Sequence, residues 1–527
     1  MFFTENVSDQ TAIKIKTALI SVSDKSDLDQ LAATLRSHDI AIVSTGGTSA
    51  YLKEQNFKVT EVSAITGFPE MMGGRVKTLH PLIYAGLLNR PVIDDKLLEK
   101  YSITNIDLVV VNLYPFEETI AQHHSDAEKA VENIDIGGPS MIRATAKNYH
   151  SKTILTDPGD YATLITELAN NQGCVTYTLR KQLALKAFGY TACYDAAIWD
   201  YFSKNQDDTL PQKLPIGLTK KTNLRYGENP HQRAAIYQQK EVGPNTLVGS
   251  KLHQGKELSY NNLLDANAAI GCVQSFNEPA CVIVKHVNPC GVAIGNDLDE
   301  AYKKSFHTDP ESAFGGVIAV NRNVDGKLIK NIINNQFLEL LIAPSFDSDA
   351  LKALEEKQNI RVIEMDGGEK NTVDYSVQTI DGGFLIQDSD AKTIDRQDID
   401  IVTLRQPEDE EIKDMLFAWK VVKYVKSNAI VFARQQQTIG IGAGQMSRVM
   451  SAKIASLKAS SANLNTKNCV MASDGFFPFK DSIEMAAEYG ISCVIQPGGS
   501  IRDDEVIAAA DAHNLVMGFT GIRHFKH

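Results

Sequence analysis

The chain has 527 residues, 43% apolar and 22% charged, the make-up of an ordinary globular protein with room for roughly three domains. Lys and Arg total 53 against 65 Asp and Glu, a net charge of −12, which argues against a sequence-independent grip on nucleic acid, whose phosphates need a positive field. No apolar run approaches the ~20 residues of a membrane-spanning helix, and the Met1–Asn6 start lacks a basic segment followed by a long apolar one, so neither a membrane span nor a signal peptide is expected.

Residues 17–160 alternate between strand and helix. Thr17–Val22 is a short apolar strand, followed by turn and cap residues Asp24 to Ser26. Leu28, Leu31 and Leu35 recur at helical spacing. Ile40–Val43 is the next strand, and Ser49–Glu54 read as helix. Asp107–Leu113 is an unbroken apolar strand, expected where both sheet faces are covered. Asp135 precedes Gly137-Gly138-Pro139-Ser140, which opens a helix running to about Asn148, and Lys152–Thr156 is another strand. This is a parallel α/β layer pattern.

Chemistry is expected at the strand-to-helix turns. Ser44-Thr45-Gly46-Gly47-Thr48 offers hydroxyls, glycines that admit an anion to the backbone N–H groups, and a helix start. Ser21, Ser23 and Lys25 end a neighbouring strand, and Gly73-Gly74-Arg75-Val76-Lys77-Thr78 adds two cations. Together they suit a phosphate monoester, although none has Walker or dinucleotide spacing. Asn112 and Tyr114 end the apolar strand, while Arg143 and Lys147 share one helix face.

Thr178–Ser203 reads as one long helix, and Asn205–Asn223, polar with two prolines, as a linker. Leu224–Gln232 and Gly255–Asn262 read as binding loops. Val282–Val284 begins a buried strand that presents Lys285 and His286 side by side before Asn288-Pro289-Cys290-Gly291, which is expected to break regular structure. Zinc deaminases use a Pro-Cys-x-x-Cys pair. Here Ala293 replaces the second thiolate, so no metal is expected. Cys281-Val-Ile and Cys493-Val-Ile form a weak internal echo that suggests two related lobes. Phe476, Phe477 and Phe479 around Pro478 suit either a core or an aromatic slot, and the basic Arg523–His527 tail is expected to fray. Seven cysteines without a C-x-x-C pair fit reduced, mostly buried thiols in the cytoplasm, where the Asn6-Val7-Ser8 sequon carries little meaning.

Taken together, Ser-Val-Ser-Asp-Lys, Ser-Thr-Gly-Gly-Thr, Gly-Gly-Arg-Val-Lys-Thr-Leu-His-Pro, Asn-Leu-Tyr-Pro-Phe, Asp-Ile-Gly-Gly, Leu-Arg-Tyr-Gly-Glu-Asn-Pro-His-Gln, Lys-His-Val-Asn-Pro-Cys-Gly and Asp-Gly-Phe-Phe-Pro-Phe are highly specific. From about Lys16 to His527 the chain resembles the bifunctional purine-biosynthesis family that carries AICAR transformylase and IMP cyclohydrolase. The resemblance implies an α/β fold with a methylglyoxal-synthase-like parallel domain over 1–150 and a helical connection and linker over 151–223. It then implies a zinc-free transformylase region over 224–527, built of two cytidine-deaminase-like lobes that meet near 365–390. It also implies a cytoplasmic homodimer with no tightly bound cofactor and 10-formyltetrahydrofolate as co-substrate.

Carried over residue by residue, the resemblance puts the cyclohydrolase chemistry on Lys147, Asp135, Tyr114 and Lys77. Substrate contacts there fall on Ser23, Asp24, Lys25, Ser44, Thr45, Gly46, Gly47, Arg75, Val76, Thr78, Asn112 and Ile136. It puts formyl transfer on His286 as base, on Lys285 for the oxyanion or the departing folate nitrogen, and on Asn428 to orient His286 or bind the formyl oxygen. Substrate contacts there fall on Arg225, Tyr226, Phe314, Gly315, Glu339, Arg448, Phe476, Asp481, Ser500, Ile501, Arg523 and His527. Glu339 stands where some relatives have Asp. Two rivals fit less well. A nucleotide sensor needs no Lys-His pair, and a methylglyoxal synthase fused to a binding module is poorly served by the Arg75–His80 run.

Overall fold

The computed structural model describes residues 11–122, 126–203, 210–239, 242–366 and 375–527. The N-terminal segment with its sequon, part of the expected linker (204–209) and part of the expected lobe boundary (367–374) lie outside the described residues. The chain divides into two compact units, Met1–Thr219 and Lys220–His527.

In the first unit five strands pair in parallel, in the order Val59–Glu61, Ala41–Ser44, Thr17–Val22, Leu108–Asn112, Thr153–Leu155. The continuous apolar composition of Leu108–Asn112 has its cause here, since every residue of it is buried between helical layers. Leu28, Leu31 and Leu35 face the core from the Leu28–Ser37 helix. The Tyr177–Ser203 helix adds Leu179, Leu183, Ala184 and Ala187 to the same core. Residues 151–203 thus contribute a sheet strand and packed helices to this unit.

The second unit is built on a twelve-stranded sheet. Its central four strands are two antiparallel hairpins, Ala280–Lys285 with Asn288–Ile294 and Ile430–Arg434 with Gln437–Gly442. The inner strands meet at Ala293 and Gln437. Outward from the first hairpin run the parallel strands Gly316–Val320, Leu338–Ala343 and Arg361–Glu364. Outward from the second run Val470–Ser473, Cys493–Gln496 and Val516–Phe519, also parallel. Each lobe therefore repeats the other about the middle of the sheet. Period-two alternation sorts the side chains: Val282 and Val284 enter a core shared by both lobes, while Cys281 and Ile283 enter a core of the first lobe alone.

Five readings of the sequence need correction. Asn288–Gly291 does not break the structure; it begins the return strand, and the break is the His286–Val287 turn. The Cys-Val-Ile echo does not mark equivalent positions. Cys281 lies within the hairpin of its lobe and Cys493 two strands outward from the hairpin of the other, because short apolar runs look alike wherever a buried strand is needed. The end of the expected linker is a strand, Thr219–Leu224, paired with Ala234–Gln238, and the Gly255–Asn262 loop gives way to a helix capped by Ser259. Finally, the terminal tail is docked: His524 is 2% exposed, and the Lys526 N–H donates to Ser427 Oγ at 3.1 Å.

Candidate functional site

In the first unit the candidate residues gather where the strand order reverses, between Thr17–Val22 and Leu108–Asn112, the crevice in which open α/β sheets bind ligands. Asn112 closes the gap between these strand ends. Its Oδ1 accepts the N–H groups of Ser23 (2.6 Å) and Asp24 (2.9 Å), and its Nδ2 donates to Asp24 O (2.9 Å). The Asp24 carboxylate accepts from the N–H and hydroxyl of Ser26, which lowers its pKa. Ser44 is fully buried with its hydroxyl donating to Ile20 O, so Ser44 and Asn112 shape the turns rather than face a ligand. Thr45 caps the Gly46–Glu54 helix with backbone alone, leaving the helix N-terminus open to an anion. Gly46 has φ +48, and a Cβ there would lie 3.1 Å from Lys77 Nζ, so the position suits only glycine.

Lys77 is the cation that reaches this crevice. Its Nζ pairs with Glu70 Oε1 at 2.8 Å. Burial opposes its charge, but Glu70, Tyr114 and Asp135 outweigh that and raise its pKa. Asp135 opens the Gly137–Lys147 helix, and its Oδ1 accepts the Gly138 N–H at 2.7 Å. Burial raises its pKa, while the Gly138 and Tyr114 amides and Lys77 pull the other way. Tyr194, whose hydroxyl accepts the Asp135 N–H at 2.9 Å, holds this residue's backbone from the long helix. Glu70 and Tyr194 are neighbours of the candidate residues that sequence reading missed. Tyr194 lies within the Thr178–Ser203 stretch, which the sequence marks only as one long helix.

Tyr114 is exposed beside Lys77, and Thr78 packs on Gly137, with Oγ1 3.1 Å from where a Cβ would stand. The Ile136 side chain points to solvent, Val76 pairs through its backbone with Met71, and exposed Arg75 pairs with Glu132. Lys25 folds back with Nζ on Ser23 O at 3.3 Å. Lys147 stands exposed at the other end of its helix, about 15 Å along the axis from Gly137 at 1.5 Å per residue. Lys147 and Asp135 therefore cannot trade a proton directly and can act on one substrate only from opposite ends.

In the second unit the candidate residues collect at one end of the large sheet. Lys285 Nζ donates to Phe314 O at 2.7 Å, which fixes the ammonium beside Gly315. His286 and Val287 follow with φ 52 and 66, the double positive-φ pattern of a two-residue hairpin turn. Asn288 joins the lobes, its Nδ2 donating to His286 O (3.2 Å) and its Oδ1 accepting the Lys426 N–H (2.9 Å). Two residues on, Asn428 Nδ2 donates to Gln445 O at 2.8 Å, fixing its amide plane. The lobe junction thus ties the Lys285–His286 turn to the segment that carries Asn428, more than 140 residues away in sequence.

Glu339 Oε2 accepts from Asn262 Nδ2 at 2.9 Å, and Asn261 ties the Arg225–Gln232 loop to the same helix start through Glu228 O (3.3 Å). The Arg225 guanidinium lies exposed over Tyr226, 5.6 Å from the ring centre. Phe314 and Phe337 expose their rings 5.7 Å apart. Arg448 is held by Asp474 (3.2 Å) and by Ser473 Oγ (3.2 Å). Burial lowers its pKa against the pull of Asp474. Arg523 lies over Phe525, with His527 5.9 Å from that ring. Phe476 and Asp481 follow one strand of the second lobe, and Ser500 with fully exposed Ile501 follows the next, at the same end of the sheet. Asp474, fully buried and bonded to Ser427, stands in the sequence as the first residue of the Asp-Gly-Phe-Phe-Pro-Phe motif, with no role of its own assigned there.

The Cys281 and Cys290 thiols are pushed up to about 12 by burial, so neither is a ready thiolate. Among the described residues no group of three or more His, Cys, Asp or Glu is placed to hold a metal, and no helix is long and apolar enough to cross a membrane.

A family model described as AICARFT/IMPCHase bienzyme matches residues 145–458, and one described as MGS-like domain matches residues 27–140. Among solved structures the chain is similar to one described as "Crystal structure of ForH", at 32% identity over 36% of this chain and 99% of that one, with a TM-score of 0.32.

Proposed function

We propose that this chain, which belongs to the AICARFT/IMPCHase bienzyme family, makes IMP from AICAR in two steps, one in each unit. In the second unit the 5-amino group of AICAR attacks the formyl carbon of 10-formyltetrahydrofolate. The C–N bond to folate breaks, giving FAICAR and tetrahydrofolate. The amine is a weak nucleophile because its lone pair is delocalised into the imidazole ring. His286 takes its proton as the new bond forms. Lys285, aimed by the Phe314 carbonyl, steadies the tetrahedral oxygen or protonates the leaving nitrogen, and Asn428 binds the formyl oxygen. Arg225 suits the nucleotide phosphate, because a forked donor matches its oxygens.

The observation that supports this reading is the Asn288 bridge, which bonds His286 O and the Lys426 N–H and so ties the Lys285–His286 turn to the segment that leads into Asn428. A rival sensor function gives no reason to aim an ammonium beside an imidazole. Incubation with AICAR and 10-formyltetrahydrofolate, followed by absorbance and chromatography, is expected to yield tetrahydrofolate and IMP in equal amounts. Failure to form either product would remove the reading.

In the first unit the carboxamide nitrogen of FAICAR attacks its own formyl carbon and water leaves. Positioning dominates an intramolecular closure. The open helix start at Thr45–Gly47 takes the phosphate, while Lys77, Tyr114 and Asp135 stabilise the tetrahedral oxygen and Lys147 exchanges a proton from the far end of its helix. Neither step as written consumes a nucleoside triphosphate or transfers electrons, so 10-formyltetrahydrofolate is the one co-substrate required. Lys77→Met and Lys147→Ala are each expected to lower ring closure of added FAICAR by about 10²-fold or more, within the range of a lost acid–base group. Formyl transfer should stay near wild type in both; loss of both activities in either variant would assign that lysine a folding role instead.

The seven free cysteines suit a reducing cytoplasm. Exposed apolar side chains on the Tyr375–Ile380 and Gly383–Asp388 hairpin, Val377, Ile380, Phe384 and Leu385, suit burial in a homodimer. Light scattering is expected to read twice the chain mass of 57.9 kDa, and a monomer at micromolar concentration would overturn that assembly.

A further inference from the structure

The duplicated lobes of the second unit provide an internal comparison. In the first, the Tyr260–Val273 helix begins with a capping box formed by Ser259 and Asn262. In the second, the Asp409–Val422 helix begins with a capping box formed by Glu408 and Glu411. The sixth residue of each helix is an aspartate, Asp265 and Asp414. Asp265 Oδ1 accepts the Val287 N–H at 2.6 Å. Asp414 accepts the N–H groups of Gln435 (2.8 Å) and Gln436 (2.7 Å). Val287 and Gln436 each lie 22 residues beyond their aspartate, and each is the second residue of a hairpin turn.

Both turns hold two successive non-glycine residues at positive φ, 52 and 66 in the first and 53 and 54 in the second. L-residues resist this backbone, and a β-branched valine resists it most. Val287 therefore sits where valine is disfavoured, at the residue after His286, and the turn persists only if something outside it fixes it. A helix-borne carboxylate closing on the turn N–H is that device, used twice. The lobes differ in what the device presents. The first turn follows Lys285 with His286, whereas the second follows Arg434 with Gln435, which has no titrating group near neutrality.

We infer that Asp265 is a positioning residue for formyl transfer, holding the His286–Val287 turn in its left-handed form so that the imidazole stands beside the Lys285 ammonium, while Asp414 performs the same backbone task at a turn without chemistry. The inference rests on the reading that His286 and Lys285 carry out formyl transfer. It adds a residue whose hydrogen bond is to the turn backbone at Val287, within electrostatic reach of His286 and Lys285. Asn262, one helical turn before Asp265, holds Glu339, so the same helix face sets both the turn and a second carboxylate of the site.

The test compares Asp265→Ala, Asp265→Asn and Asp414→Ala in the full chain. Asparagine keeps an Oδ1 acceptor for Val287, so Asp265→Asn is expected to retain kcat for formyl transfer within about fivefold. Asp265→Ala is expected to lose kcat by about 10²-fold, the cost of displacing a catalytic group by about an ångström, with KM for AICAR changed less than threefold. Asp414→Ala is expected to lower the thermal transition while keeping kcat, because its turn presents no reacting group. Hydrogen exchange at the Val287 amide, followed by mass spectrometry, is expected to be at least tenfold faster in Asp265→Ala than in wild type, and near wild type in Asp265→Asn. Unchanged Val287 exchange in Asp265→Ala, or an Asp265→Asn variant as slow as Asp265→Ala, would overturn the inference. If wild type itself transferred no formyl group, the functional reading would fail, and the exchange result would still decide whether Asp265 holds the turn.

Discussion

Replacing His286 by asparagine is expected to lower kcat/KM for formyl transfer by about 10²–10⁴-fold, the usual contribution of a positioned general base, while ring closure of added FAICAR proceeds at the wild-type rate. The choice of asparagine follows from the backbone. His286 lies at φ 52, where Asn is among the few residues that sit readily, whereas alanine adds roughly 1–2 kcal/mol of left-handed strain. An alanine variant would therefore mix a lost base with a disturbed turn. His286→Asn keeps the backbone, the Asn288 Nδ2 contact to residue 286 O and the Val287 contact to Asp265, and removes only the imidazole. Formyl transfer within threefold of wild type would remove His286 as base and leave Lys285 and Asn428 as the centre of the site.

Asp474→Ala is expected to destabilise the second unit by about 3–5 kcal/mol, the cost of removing one partner from a buried ion pair, seen in calorimetry as a fall of roughly 10 °C in its transition. Asp474 has no exposed surface, and its carboxylate meets the Arg448 guanidinium on one oxygen and the Ser427 hydroxyl on the other. Truncation leaves Arg448, only 15% exposed, buried without its counter-charge. The effect should spread to the tail, because Ser427 also accepts from the Lys526 N–H and its own N–H donates to Lys526 O. Asp474→Asn, which retains acceptor and shape but also removes the counter-charge of Arg448, should cost nearly as much; a clearly smaller loss would mean that the hydrogen bonds dominate over the charge pairing.

The parallel architecture of the first unit was legible because its signals are local. The all-buried run Leu108–Asn112 and the leucines of Leu28–Ser37 follow the periods of strand and helix, and the Ser44–Gly47 turn lies where a strand hands over to a helix. Side-chain employment was not local and was not legible. Asn112 and Ser44 look like ligand-facing polar residues in sequence, yet each is engaged by backbone one strand away. In the same way, the Asn-Pro-Cys-Gly run carries the composition of a turn, but the hydrogen-bonding partner of each strand places the turn two residues earlier.

From the sequence alone came the family, the two α/β regions and the residue types of both sites, because motif spacing and hydrophobic period are properties of neighbouring residues. Tertiary structure alone decided that Lys285 aims at the Phe314 carbonyl, that Asn288 ties the His286 turn to Lys426 across the lobe junction, and that Lys147 stands a helix length from Asp135. It alone revealed that Asp265 and Asp414 are one device used twice, 149 residues apart. The reason is geometric: a hydrogen bond is fixed by a distance of about 3 Å between atoms, and nothing along the chain records which distant atoms the sheet will bring that close.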